Sequence, residues 1–228
     1  MQHWTLWSTA LAVSVALGSG LNTAAATTPV QAKTAQAAPV SFAAQPAPSM
    51  AARQMATQVL ATGDHGQRPF AIVDKRAALM TLFNASGQVL GSSPVLLGSV
   101  VGDESVPGVG DRTQSGQLQP GDATTPAGRF QSTPGLNHTG EAVVWVDPDT
   151  AFAIHRLRPG AAQADRARRL AGYDPARKRV SAGCVVVPVA FYESVVHPVL
   201  GRQPGVVYVL PEHGDWTGLL VGAGRRSL

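Results

Sequence analysis

Short apolar runs separated by turn residues dominate the chain from residue 70 onward, and their spacing is that of β-strands. Phe70-Ala71-Ile72-Val73 and the run Ala78 to Phe83 flank Asp74-Lys75-Arg76, the composition of a hairpin turn. Asn84 to Gly87 supplies another turn, followed by a β-branched, glycine-punctuated stretch from Gln88 to Val101. Ala142 to Val146 and Ala151 to His155 form a further pair around Asp147-Pro148-Asp149-Thr150, which places His155 at the exit of a strand. Gly205 to Leu210 closes the series. Between Gly102 and Gln119, Gly, Asp, Ser and Pro predominate and predict a long surface loop.

Helical periodicity is rarer. Met50 to Ala61 sets Met55, Val59 and Leu60 on one side. Ala161 to Ala171 is made of good helix formers and ends at Gly172, a normal stop. Pro188 to Leu200 opens with a proline, tolerated in a first turn, and carries Phe191, Val195 and Val199 at helical spacing. The expected architecture is mainly β, of sandwich or barrel type, with one or two helices.

The N-terminal quarter has a different character. Leu6 to Leu17 is apolar, too short for a comfortable membrane span, and small residues follow it at Ala24-Ala25-Ala26. A cleaved signal peptide is expected over 1–26, leaving no stable membrane span. Residues 27–50 are rich in Ala, Thr, Gln and Pro and cannot bury enough apolar surface to offset their ordering entropy, so a disordered tether is expected there. The folded domain is expected over 51–228, with its core at 68–211.

Charge adds a local feature. The balance of 18 Lys and Arg against 14 Asp and Glu is modest, but Arg156 to Arg179 holds eight basic residues opposed only by Asp165 and Asp174. Apart from Tyr173 the segment has no interleaved aromatics, which argues against a nucleic-acid surface. It reads as a solvated helix face or as a funnel for an anionic substrate. One cysteine and scattered histidines make no metal site and imply no cofactor.

Cys184 is the only cysteine, in a chain that begins like an exported protein, so it has no intramolecular disulfide partner. A free cysteine is often a small buried hydrophobe, and an intermolecular disulfide is a further use. Its lead-in, Ser181-Ala182-Gly183, is small enough to admit a substrate backbone, and His155 is a candidate base upstream. A thiolate nucleophile, favoured by His155 as imidazolium and by nearby arginines, is the expected chemistry.

Five stretches taken in order resemble the L,D-transpeptidase (YkuD-type) catalytic domain. They are Pro69 to Lys75, Thr124-Thr125-Pro126-Ala127-Gly128-Arg129-Phe130, Ile154-His155-Arg156, Ser181 to Cys184, and Pro188 with Phe191-Tyr192. The resemblance covers roughly Arg68 to Pro211. It implies a periplasmic or cell-wall acyltransferase that acts on peptidoglycan stem peptides, with Cys184 as nucleophile and His155 as base. The donor would be a tetrapeptide stem cut after its third residue, with an amine (3–3 crosslinking) or water (trimming) as acceptor. Ser181 and Gly183 match the residues that open the nucleophile motif and are expected to shape the site and its oxyanion pocket. Arg156 and Arg179 are candidates for binding substrate carboxylates. The chain departs from the family pattern at Ala182, at Val186, where a polar residue is usual, and at Arg156. Its His-to-Cys separation is also longer than in compact members. These departures leave a weakly catalytic or inactive wall-binding module on the same fold as the alternative.

Overall fold

The computed structural model describes residues 45–221. The expected signal peptide over 1–26 lies outside the described residues, as does the expected tether except at its end, where Ser49 already caps a helix. That helix is α1 (Met50–Thr62). The Ser49 hydroxyl accepts from the Ala52 amide, and Gly63 stops the helix in the left-handed conformation. Of the side predicted for it, Met55 and Val59 are buried, whereas Leu60 stays exposed.

In chain order there follow β1 (Phe70–Asp74), β2 (Leu79–Phe83), β3 (Val89–Pro94), β4 (Leu97–Gly98) and α2 (Val109–Gln114). Next come β5 (Gly128–Leu136), β6 (Ala142–Asp147), β7 (Phe152–Arg156) and α3 (Gln163–Ala171), then β8 (Arg179–Ser181) and β9 (Val185–Val187). A continuous helical run combines α4 (Val189–Phe191), a π-helical turn (Tyr192–Val196) and α5 (His197–Val199). β10 (Gly205–Leu210) and α6 (Gly218–Val221) complete the order.

Eight strands form one sheet in the order β3-β2-β1-β10-β5-β6-β7-β9. Its two edges meet: Leu96, just past β3, exchanges both backbone hydrogen bonds with Val186 in β9, at 2.8 and 3.0 Å. β4 pairs with β8 beside this seam. The sheet is therefore nearly a closed barrel, and closure removes most of the free edge that an open sheet would leave. The mainly β expectation holds.

Alternation along the strands divides the apolar residues into separate cores. Ala71, Val73, Met80, Leu82, Val207 and Val209 point inward and pack on Phe191, Val195 and Leu200 of the helical run. Their neighbours Phe70, Ile72, Phe83, Val206 and Tyr208 point outward and are covered by Met55 and Val59 of α1. β1 and β10 are buried on both faces, which is why they read as unbroken apolar runs.

Two segments differ from the sequence expectation. The stretch 102–119 is not loop throughout, because α2 lies inside it. Gly110 of α2 packs so closely on the turn between β6 and β7 that an added Cβ would sit 2.1 Å from the Asp149 carbonyl. β5 is an additional strand, and it changes partner midway: Gly128–Ser132 pairs with β10 and Thr133–Leu136 with β6.

Candidate active site

β7 and β9 lie side by side and parallel, with Ile154 opposite Val185 and His155 opposite Val186. Side chains alternate between faces, so Ile154, Val185 and Val187 enter the barrel core. His155 and Cys184 take the other face. Cys184 immediately precedes β9, two residues before the Val186 that lies opposite His155, so strand alternation brings the two residues, distant in sequence, to one face of adjacent strands.

The imidazole orientation is fixed from below. His155 Nδ1 lies 2.8 Å from the Arg156 carbonyl. A carbonyl only accepts, so Nδ1 carries the proton and Nε2 keeps its lone pair. Burial, helped by the positive charge of Arg158, lowers the His155 pKa to about 4; the Arg156 carbonyl and Glu141 oppose this only partly. The ring is therefore neutral near pH 7.

Cys184 is half-buried and free. Its Sγ donates to the Ala151 carbonyl at 3.5 Å rather than to the imidazole. Burial pushes the thiol pKa up, against the Ala153 amide and the charge of Arg158, which pull it down. The resting pair is thus thiol and neutral imidazole. This corrects the expectation of a thiolate favoured by an imidazolium: at Cys184 desolvation outweighs the charge of Arg158, and at His155 that charge adds to desolvation in disfavouring the imidazolium. Ala151 itself stands at φ +54°, an uncommon conformation for a residue with a Cβ, and in that conformation its carbonyl meets the sulfur.

The loop before Cys184 is tightly braced. The Ser181 hydroxyl donates to the Cys184 carbonyl at 2.6 Å and accepts from the Gly183 amide at 3.2 Å. Gly183 adopts φ +123°, and a Cβ there would lie 2.9 Å from the Thr124 carbonyl oxygen. Both residues therefore shape the loop. The Gly183 amide already has Ser181 as its partner, which leaves it badly placed to serve an oxyanion.

Thr125, which the sequence marked only as part of a stretch resembling the L,D-transpeptidase domain, extends this bracing. Its hydroxyl donates to the Gly183 carbonyl at 2.7 Å and accepts from the Gly98 amide at 2.8 Å. Its own carbonyl accepts from Lys75 Nζ at 2.9 Å. Lys75 is fully buried and also donates to the Gly102 carbonyl and to Asp103, at 2.6 and 2.7 Å. The only sequence signal for this arrangement was a lysine directly after an apolar strand.

The two predicted substrate arginines separate. Arg156 pairs with Glu141 at 2.9 Å, and Arg158 reaches the other oxygen of the same carboxylate, also at 2.9 Å. Both stay about one-third exposed beside the candidate site. Arg179 does not join them. It is committed to Glu212 at 2.7 Å and to the Lys75 carbonyl at 3.1 Å, so it works as a brace.

Val186 has a packing explanation. With Leu96, Leu157 and Leu170 it forms a small apolar cluster, and Leu170 belongs to α3, in the extra segment between His155 and Cys184. A polar side chain at 186 would be buried there against hydrocarbon. The longer separation and the loss of a polar residue are thus one feature. Beside Ala182 and Gly183 runs a narrow crevice of about 10 Å³, walled by Val109 of α2, Asp122 and Thr150.

Among the described residues no group of His, Cys, Asp and Glu forms a metal site, and no helix is long and apolar enough to cross a membrane. No protein-family model matches the chain, and no curated protein is significantly similar to it. Solved structures similar to it are mostly L,D-transpeptidases. The helical cell shape determining protein of Campylobacter jejuni is 13% identical, with a TM-score of 0.42 over 64% of this chain and 49% of that one. An L,D-transpeptidase from Xylanimonas cellulosilytica is 14% identical, with a TM-score of 0.39 over 63% and 60%. The catalytic domain of the E. faecium L,D-transpeptidase is 19% identical, with a TM-score of 0.34 over 63% and 98%. The chain spans about half to two thirds of the length of several others.

Proposed function

We propose that this chain is an exported peptidoglycan L,D-transpeptidase that transfers the acyl group of a tetrapeptide stem through Cys184. One observation carries the reading: Cys184 and His155 share one face of adjacent strands, with Nδ1–H held by the Arg156 carbonyl and Nε2 left to take a proton.

The steps follow from a neutral pair. Sγ attacks the stem carbonyl while its proton moves to Nε2, giving a tetrahedral oxyanion and an imidazolium. Collapse breaks the C–N bond, the departing D-alanine amine takes the proton from Nε2, and a thioester remains on Cys184. An incoming amine then attacks the thioester and gives its proton to Nε2. The thiolate leaves and recovers that proton. Water in place of the amine yields a trimmed stem. Because the thiol pKa is raised, its deprotonation coincides with attack rather than preceding it. Arg156 and Arg158, paired with Glu141 but each about one-third exposed, would meet a stem carboxylate in this reading.

Incubating the purified chain with a tetrapeptide-stem muropeptide tests this reading. Mass spectrometry is expected to show loss of D-alanine, with 3–3 dimers or tripeptide stems, in wild type and not in Cys184→Ala. Absence of both products from wild type sinks it.

The narrow crevice and the raised thiol pKa favour a second reading, a wall-binding module without turnover. It predicts salt-sensitive binding to sacculi that Cys184→Ser leaves unchanged.

A further inference from the structure

A sizeable cavity lies away from Cys184. A groove of about 750 Å³ runs between β3, α3 and the start of α4, walled by Leu79, Pro94, Leu157, Leu170, Val189 and Phe191. Its volume lies in the range of about 300–1,000 Å³ usual for small-molecule sites. Lys178 is the one charged residue lining it. That lysine is 3% exposed, and its Nζ has no hydrogen-bond or ion-pair partner among the described residues. Burial lowers its pKa, opposed only by the charge of Asp174. Its stem is buried while Nζ meets only the groove, where an anion would offset the cost of holding an ammonium beside an apolar wall.

Among the described residues no carboxylate pairs with Lys178, and Asp174 acts on it only through its charge. The chain enters the groove through Gln45, whose side-chain oxygen accepts from the Ser92 amide at 3.1 Å, and Pro46. Residues 1–44 contain no Asp or Glu. A phosphate would call for several donors of the kind an arginine fork supplies, whereas one lysine matches one carboxylate. We infer that this groove is a binding site for an amphipathic carboxylate, a single apolar chain of the fatty-acid type, with its head on Lys178 Nζ and its tail along Leu157, Leu170 and Phe191. The site is separate from the Cys184 chemistry.

Isothermal titration of the full chain with dodecanoate below its micelle concentration, at pH 7, tests the inference, with dodecanol as the uncharged control. Wild type is expected to bind dodecanoate saturably at one site. Lys178→Met is expected to weaken that binding by about ten- to a hundredfold while leaving dodecanol unaffected. Ala167→Trp, which fills the groove, is expected to abolish both. A second readout needs no variant: the amines are ¹³C-dimethylated and followed by NMR, the chain having only Lys33, Lys75 and Lys178. The Lys178 signal is expected to titrate at higher pH with dodecanoate present. Absence of saturable binding to wild type at millimolar ligand, equal affinity of a folded Lys178→Met, or an unmoved Lys178 titration would each overturn the site.

Discussion

The barrel contains two parallel strand pairs among its neighbours, and they differ in what covers them. β1 and β10 sit between the helical run inside and α1 outside, and every residue of both is buried. β7 and β9 are also buried along most of their length, but β7 becomes half-buried at its exit, at His155 and Arg156. Coverage on both faces makes a strand a stability element. A partly covered strand exit leaves room for polar side chains held on a rigid backbone, which is where a nucleophile and base are best aimed. α3 covers part of the face that carries His155, through Leu170 on Val186, and stops short of the sulfur.

Exchanging functions between the two pairs should fail in characteristic ways. Cys184→Ala should remove all acyl transfer while leaving thermal unfolding close to wild type. His155→Gln should lower acyl transfer by about a hundred- to ten-thousandfold, read from initial rates of D-alanine release. On the covered pair, Ile72→Ala should cost about 2–5 kcal/mol in urea unfolding, the range for an aliphatic truncation in a packed core, without altering Cys184 alkylation in the folded protein.

Between these extremes lies the brace. Thr125→Val keeps the shape but leaves the Gly183 carbonyl and Gly98 amide without a partner. It should cost about 1–3 kcal/mol and lower the acylation rate at unchanged His155 pKa. A gentler effect comes from pH. The folded His155 pKa of about 4 lies below its ordinary 6.5, so the unfolded chain takes up the proton first. That contribution to stability is fully present above about pH 6.5 and is lost as pH falls through about 4. The thermal midpoint of wild type should drop more over that interval than that of His155→Gln. Smallest of all, Arg158→Gln should move the acid limb of acylation slightly upward, because it removes a positive charge that lowers the His155 pKa.

Much of this was legible in the chain. Alternation placed β6 and β7 and set His155 at a strand exit, and the small residues around Gly183 marked the tight loop before Cys184. β5 escaped notice because most of its side chains are not buried and it carries Pro134 and Gly135, so no apolar period announces it. Its proline is tolerated because that half of the strand pairs on one side only, with β6. The protonation states were illegible for another reason. Sequence shows arginines near His155 and Cys184, but desolvation decides their pKa values, and burial emerges only from packing. Arg179 misled for the same cause, since its partner Glu212 lies 33 residues away.

The rate of Cys184 acylation by a carbapenem, followed by intact mass from pH 3.5 to 8 in wild type and His155→Gln, tests the neutral pair most directly. The account predicts a wild-type adduct whose rate climbs through about pH 4 to a plateau, and a His155→Gln rate lowered at least a hundredfold. A wild-type sulfur that takes no adduct, or one acylated equally fast without His155, would contradict it.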